Sequence, residues 1–355
     1  MEQMLAAETR AAETSAGPII ASPPSPSIVW KQLVEGVEPF LHAVAKRLVA
    51  QAEQFEPEIA PYAHYALSAQ GKHLRPILVS LSGESVGSLT DSHVTVAVII
   101  EMVHLATLVH DDVIDEAALR RGRPTLAANW GNEISVLLGD CLFAHSLKLA
   151  ASFPTPEICR AVASATNTVC AGEILQTQRR GNFEISRAEY FKILNMKTAE
   201  LFALSCDLGS LLGQATTARR EALRQYGMAL GTAYQVYDDC LDLVGSEASA
   251  GKTLGADLGN GKLTLPTLIV RDRASAAERN QLRDWMKNWS PNHLAAVLDL
   301  IEKYEAFAES RAVIQKYLAA ARQSILNLPA SDGRTGLIGL THYLAEQTEA
   351  LGVIY

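Results

Sequence analysis

From Val29 onward, apolar residues recur every three or four positions, and Val37, Leu41, Val44 and Leu48 mark one side of the first long segment. That spacing follows the turn of an α-helix and gives it one apolar face. Alternation of period two, the mark of a half-buried strand, is scarce throughout. Turn-forming residues interrupt the pattern at Glu56-Pro57, Pro61, Ser82-Gly83, Gly122 to Pro124, Pro154 to Pro156, Gly181-Asn182, Gly245 to Gly261, Ser290-Pro291 and Ser331 to Gly333. Between them the pattern predicts helices mostly about 15 to 25 residues long. No fixed-period repeat and no linker divides the chain after residue 28, which predicts one all-α domain over 28–355. Residues 1–27 read differently. Rich in Ala, Ser and Pro and ending in ASPPSPS, they carry too little apolar surface to order themselves and predict a disordered extension.

Composition narrows the class. Hydrophobic residues at 48% and charged residues at 20% describe a chain able to bury a large core. A formal net charge of −8 excludes a general nucleic-acid binder, because phosphate backbones are held by surplus Lys and Arg. The five cysteines are scattered, odd in number and free of any C-x-x-C, so they indicate neither a disulfide framework nor a zinc site. The longest apolar run, Val94 to Val109, is broken by Glu101 and His104, and the N-terminus lacks the features of a signal peptide. Together these predict a cytoplasmic, soluble protein without an integral membrane segment.

Two stretches break the apolar pattern in the same way. In LVHDDVIDEAALRRGRPT, Asp111 and Asp115 are four apart and share one helix face, with Asp112 beside them. Three carboxylates so crowded repel one another and call for a positive partner, either a hard divalent cation or the nearby Arg120, Arg121 and Arg123. Alone, the cluster is equally compatible with a solvated acidic face. The spacing recurs in YQVYDDCLDLVG, as Asp238, Asp239 and Asp242 on a second apolar helix. Two such clusters flanked by Val, Ile, Leu, Tyr and Cys predict carboxylates facing an interior cleft, where bare charge is costly. Magnesium relieves that cost, and because phosphate oxygens and water usually complete its shell, the implied ligand is a diphosphate or triphosphate. Cations suited to such a ligand accompany the clusters: Lys72 and Arg75 in GKHLRP, Arg120 and Arg121 in RRGRP, Lys197 beside Thr198 in MKTAELF, and Lys252 and Lys262 in GKTLGADLGNGKLTLP. Any one alone is an ordinary surface cation.

In this order, GKHLRP, EMVHLATLVHDDVIDEAALRRGRPT, WGNEISVLLGDCLFA, GEILQ, MKTAELF, YQVYDDCLD and GKLTLP resemble the trans-isoprenyl diphosphate synthases, or polyprenyl synthetases, from about Ala66 through Pro266. The resemblance implies the isoprenoid synthase fold, a single bundle of mostly antiparallel helices around a deep central cavity. It also implies a prenyltransferase condensing isopentenyl diphosphate with an allylic diphosphate, working as a homodimer with three Mg²⁺ ions. By position, Asp111, Asp115 and Asp238 become direct metal ligands, Asp112 supports the first two, and Asp239 and Asp242 orient metal-bound water. Arg120, Lys197 and Lys252 then grip the allylic diphosphate, with Lys262 also on the substrate. Lys72, Arg75, His104 and Arg121 hold the diphosphate of isopentenyl diphosphate, although His104 alone also reads as a core histidine. The oxygens of Thr198 and Gln235 face the developing carbocation.

Product length is expected to follow from the helix before Asp111, where Thr107, Ala106, Val103 and Ile100 precede it by four, five, eight and eleven residues. With a rise of about 1.5 Å per residue, small side chains at Ala106 and Thr107 leave that level open. Family members with short products often carry aromatics there, so the expectation is a geranylgeranyl or longer product, with Leu142 or Phe143 as a floor further down. A farnesyl diphosphate synthase and an inactive subunit of a heteromeric synthase are the alternatives. A terpene cyclase is disfavoured because Asp242 and Ser246 occupy places where its second motif differs, and an HD-type phosphohydrolase leaves the second cluster unexplained. Two departures from the family pattern stand out: Gln176 replaces an aspartate of some short-chain members, and the tail YLAEQTEALGVIY has no basic residue.

Overall fold

The computed structural model describes residues 28–68, 71–245 and 254–351. The expected N-terminal extension over 1–27 and Lys252 lie outside them. The described chain is helical almost throughout, in the order α1 (Ile28–Ala52), α2 (Ala60–Leu67), α3 (Leu74–Glu84), α4 (Asp91–Ile114), α5 (Leu126–Trp130), α6 (Asn132–Ala151), α7 (Glu157–Gln178) and α8 (Arg187–Leu194). A π-helical turn, Asn195–Ala199, leads into α9 (Glu200–Leu212) and α10 (Thr217–Val244). There follow α11 (Ala256–Gly259), α12 (Leu265–Arg273), α13 (Ala276–Lys287), α14 (Leu294–Lys303), α15 (Ala306–Ser324) and α16 (Asp332–Glu349). The only sheet among the described residues is a hairpin of β1 (Leu119–Arg120) and β2 (Arg123–Pro124). Its turn, Arg121-Gly122, has positive φ at both residues, the geometry a two-residue hairpin turn demands.

Two helices organise the core. Along α4, Val96 to Met102 are buried without interruption, and an apolar surface so nearly continuous around a helix requires neighbours on most sides, here α3, α6 and α9. Each fully buried Val, Ile or Met in that run stabilises the fold by about 1.5–3 kcal/mol. Its start is fixed by a reciprocal box between Thr90 and His93, and the His93 ring reaches the Gly209 carbonyl on α9 at 3.2 Å. The second organiser, α10, packs between α9 and α15. Gly227 and Gly231 permit that approach, since a Cβ at either would stand 2.5 Å from the Phe202 carbonyl oxygen or 2.7 Å from Ala199 Cα.

Both α4 and α10 carry their aspartates near their C-terminal ends, with Asp115 at the C-cap of α4. A helix C-terminus already bears partial negative charge, so acids placed there need cations more than acids elsewhere. By length and composition α4 and α6 are also apolar enough to cross a membrane, but 72% of the most apolar stretch of α4 is buried within the fold, against 39% for α6. The former is a core helix. The latter leaves Val136 and Leu137 exposed.

Candidate active site

A cleft of about 1670 Å³ opens between the ends of α4 and α10. Its wall includes Asp111 and Asp115 from α4 and Asp238 and Asp239 from α10, so the two acidic clusters share one cavity. Lys72, Arg75, His104, Arg120, Arg121, Lys197, Thr198, Gln235 and Lys262 also stand on that wall. Asp112 and Asp242 do not.

In the first cluster every acid meets a cation. Lys197 Nζ lies 3.2 Å from Asp111 Oδ2 and also pairs with Glu173. Arg120 Nε donates to Asp112 Oδ1 at 2.6 Å, behind the cleft face, where Asp112 is 5% exposed. Asp115 takes Lys262 Nζ at 2.9 and 3.1 Å on its two oxygens, and Arg180 as well, whose other nitrogen donates to the Ile114 carbonyl at 3.1 Å. Burial pushes Asp112 upward from the ordinary carboxylate range, only partly opposed by Arg120. Burial pushes Asp115 the same way, but Lys262, then Arg180 and Lys197, outweigh it and hold that carboxyl low.

The second cluster is satisfied differently. Asp239 accepts from the Tyr190 hydroxyl at 2.6 Å and from Gln235 Nε2 at 2.8 Å, while Thr198 donates to Gln235 Oε1 at 2.8 Å. Burial drives the Asp239 carboxyl well above its usual range, with Asp257 adding to the rise. Asp242 is 1% exposed, and its Oδ2 accepts the backbone N–H of Asp257 at 3.1 Å while its carbonyl accepts that of Gly255 at 2.7 Å. Through that bond the Asp242 carboxylate holds the chain entering α11.

Lys197 and Thr198 reach the cleft from the π-helical turn, whose wider coil re-aims side chains that a regular helix would carry elsewhere. On the opposite side, Arg75 lies over the Phe202 ring at 5.1 Å, and loss of hydration lowers its pKa and that of Lys72. His104, crowded by protein and then by Arg75, Arg121 and Arg120, is held well below its usual pKa and therefore neutral. His73 and Glu101, which no spacing in the sequence marks for the site, join this wall with Nδ1 and Oε1 3.3 Å apart. On α16, Tyr343 stacks on Trp30 at 4.6 Å and lies 5.9 Å from Lys72, so an aromatic stands beside this wall.

Of the chain-length candidates, Thr107 and Phe143 line the cleft, with the Phe143 ring edge-on to His110 at 5.7 Å. Ala106, Val103, Ile100 and Leu142 are fully buried and off the wall. Five residues from Asp111, Ala106 stands about 140° around the helix, whereas Thr107, four away, stands only about 40° around it. Distance along the axis measures depth but says nothing of direction. Glu173, Gln176, Tyr190 and Arg180 also line the cleft. Glu173 and Gln176 are one turn apart on α7, a pairing visible in GEILQ, whereas the partners of Tyr190 and Arg180 lie 49 and 65 residues away in sequence.

Among the described residues no three His, Cys, Asp or Glu side chains gather closely enough to hold a metal unaided. The donors that share the cleft are nevertheless carboxylate oxygens, the set a hard divalent cation prefers, and Mg²⁺ usually draws the rest of its shell from phosphate and water.

Known proteins resemble this chain in sequence and fold. The pattern of the polyprenyl synthetase family matches residues 56–303. Component 2 of the heptaprenyl diphosphate synthase of Bacillus subtilis is 36% identical over 283 residues, 80% of this chain and 81% of its own length. Octaprenyl diphosphate synthase of Escherichia coli is 32% identical over 80% of this chain and 88% of its own. A polyprenyl synthase from Caulobacter crescentus, solved with calcium and isoprenyl diphosphate, superposes with a TM-score of 0.85 at 32% identity, covering 91% of this chain and 99% of the other.

Proposed function

The chain belongs to the polyprenyl synthetase family and is a prenyltransferase, and from that premise we propose that it condenses isopentenyl diphosphate with an allylic diphosphate to give a trans-polyprenyl diphosphate of geranylgeranyl length or longer. The observation that carries this reading is the single cleft in which Asp111, Asp115 and Asp238 stand among cations on opposite walls. Asp111, Asp115 and Asp238 would hold Mg²⁺, three ions with the diphosphate bound, while Asp112 supports the first two from behind the cleft face and Asp239, on its wall, would orient metal-bound water. When bound, the metal supplies Lewis-acid stabilisation of the charge that develops on the leaving diphosphate. Calcium with isoprenyl diphosphate in the Caulobacter crescentus protein supports that assignment.

The residues of this chain then divide the work. Lys197 and Lys262, now on carboxylates, turn their ammonium groups to the allylic diphosphate, with Arg120 and Lys252 as further cations. Lys72, Arg75, Arg121 and His104 hold the second diphosphate. Thr198 and Gln235 present dipoles, and no nucleophile, to the carbocation, which favours its capture by the double bond of isopentenyl diphosphate. The released diphosphate accepts the final proton. Hepta- and octaprenyl synthases among the relatives, and Thr107 on the wall one turn from Asp111, support a medium or long product. Mass analysis of products from labelled isopentenyl diphosphate with each allylic starter in Mg²⁺ tests the assignment, and a wild-type enzyme that stops at farnesyl would overturn its length.

A homodimer is proposed through α6 and α7, whose Val136, Leu137 and Ile174 are exposed. Five free thiols accord with a reducing, cytoplasmic location. A second reading, in which this face takes a different subunit, is favoured by the Bacillus subtilis relative being a component 2. Mass in solution and activity of the purified chain alone separate the two.

A further inference from the structure

The cations on Asp115 come from two loops that cross. Gly181 N–H donates to the Gly261 carbonyl at 2.8 Å, and a Cβ on Gly261 would stand 2.9 Å from Gly181 N. Both glycines have positive φ, 72° and 68°, so only glycine suits the crossing without strain. Arg180 precedes one glycine and Lys262 follows the other, and the crossing delivers both side chains to one carboxylate. Lys262 is already part of the proposed substrate site; Arg180 is not. Its guanidinium holds Asp115 and the Ile114 carbonyl, while its Nε is buried without a hydrogen-bond partner.

With Arg180 included, Asp111, Asp112, Asp115 and Glu173 face Lys197, Arg120, Lys262 and Arg180, four carboxylates against four cations. Such a cluster has no surplus negative charge to draw in a bare divalent ion. A metal that takes Asp115 must displace cations, and these find new partners only if phosphate oxygens arrive with it. We propose that Arg180 is a positioning residue that occupies Asp115 in the free enzyme, suppresses binding of Mg²⁺ alone, and transfers to the diphosphate when metal and diphosphate enter together. This rests on the metal assignment to Asp111 and Asp115. The result is thermodynamic coupling: diphosphate raises affinity for the metal and the metal raises affinity for diphosphate.

The test is calorimetric titration of the full chain with Mg²⁺, alone and in inorganic pyrophosphate, for wild type, R180Q, R180K and Asp111→Asn. R180Q is expected to bind Mg²⁺ alone about tenfold more tightly than wild type, and to lose about tenfold of the enhancement that pyrophosphate gives, a coupling of ordinary size. R180K, which keeps the charge, is expected to stay near wild type. Unchanged or weaker binding of Mg²⁺ alone by R180Q overturns the proposal, as does an equal change in R180K, which would make the effect one of packing. Asp111→Asn separates the two levels: if it leaves Mg²⁺ binding intact, the metal assignment itself fails, whereas if it abolishes binding and R180Q does nothing, only the role of Arg180 fails.

Discussion

The two D-D-x-x-D clusters share a spacing, and their middle acids, Asp112 and Asp239, differ in what neutralises them. On α4, Asp111, Asp112 and Asp115 are each ion-paired, to Lys197, Arg120, and Lys262 with Arg180. On α10, Asp239 relies on a phenol and an amide, and Asp242 takes a backbone N–H. Burial raises the middle carboxyl of both clusters, yet only Asp112 meets a full positive charge among the described residues. Spacing thus decides which acids share a face, and the elements packed against that face decide their charge. What lies one turn from the leading acid differs too. Thr107 and Phe143 line the cleft near Asp111, whereas near Asp238 it is lined by the bulkier Tyr234, four residues before, which packs on Phe202 at 5.6 Å with Arg75 over the same ring. The proposed path for a growing chain therefore runs under the first cluster.

The largest expected effect treats the clusters alike. Asp111→Ala or Asp238→Ala should lower condensation by roughly 10³-fold or more, the loss expected when a preorganised electrostatic group is removed from a transition state. Circular dichroism should still report the full helical content. Near-normal turnover in either variant would remove that aspartate from the metal site.

The next effect separates them. Phe143→Ala should lengthen the product and Thr107→Phe should shorten it, read from the masses of products at saturating isopentenyl diphosphate. Ala106→Phe, by contrast, forces a ring into packed core and should destabilise the fold by about 1–3 kcal/mol without moving the product distribution. A length change from Ala106→Phe, with none from Phe143→Ala, would place the path on the other side of α4.

Much of this architecture is legible in the amino-acid sequence. The three-to-four spacing marks the helices, and both acidic clusters and most of their cations follow from the motifs. What the sequence hides has physical causes. Residues 195–199 look like ordinary helix, because nothing in Met-Lys-Thr-Ala signals a π-helical turn. The burial of Ala106 off the cleft wall depends on its angle around α4, which a count of depth along the helix does not give. Asp242 repeats the position of Asp115, but α11 follows α10 closely enough for its backbone to claim that carboxylate. Arg180 and Tyr190 act on residues distant in sequence, and no local pattern encodes such a contact.

The smallest effect tests the contrast itself, at the middle aspartates. Tyr190→Phe deletes one hydroxyl and leaves a buried Asp239 oxygen without its donor, at a cost of about 1–3 kcal/mol. Arg120→Gln removes the charge facing Asp112, whose side chain is 7% exposed beside an arginine at 37%, so its cost should be of similar size. Salt distinguishes them. Part of what Arg120 contributes is Coulombic and reaches solvent on one side, and ions shorten its range from about 10 Å at 0.1 M to about 3 Å at 1 M. The loss in Tm caused by Arg120→Gln should therefore shrink between 0.1 M and 1 M NaCl in metal-free protein, by a few tenths of a kcal/mol, or about 1 °C. The hydroxyl of Tyr190 carries no net charge and sits buried against Asp239. Its loss should be the same at both salt concentrations. Equal salt sensitivity of the two variants would mean that the middle positions are neutralised in the same way, and the distinction between an ion-paired Asp112 and a dipole-satisfied Asp239 would not hold.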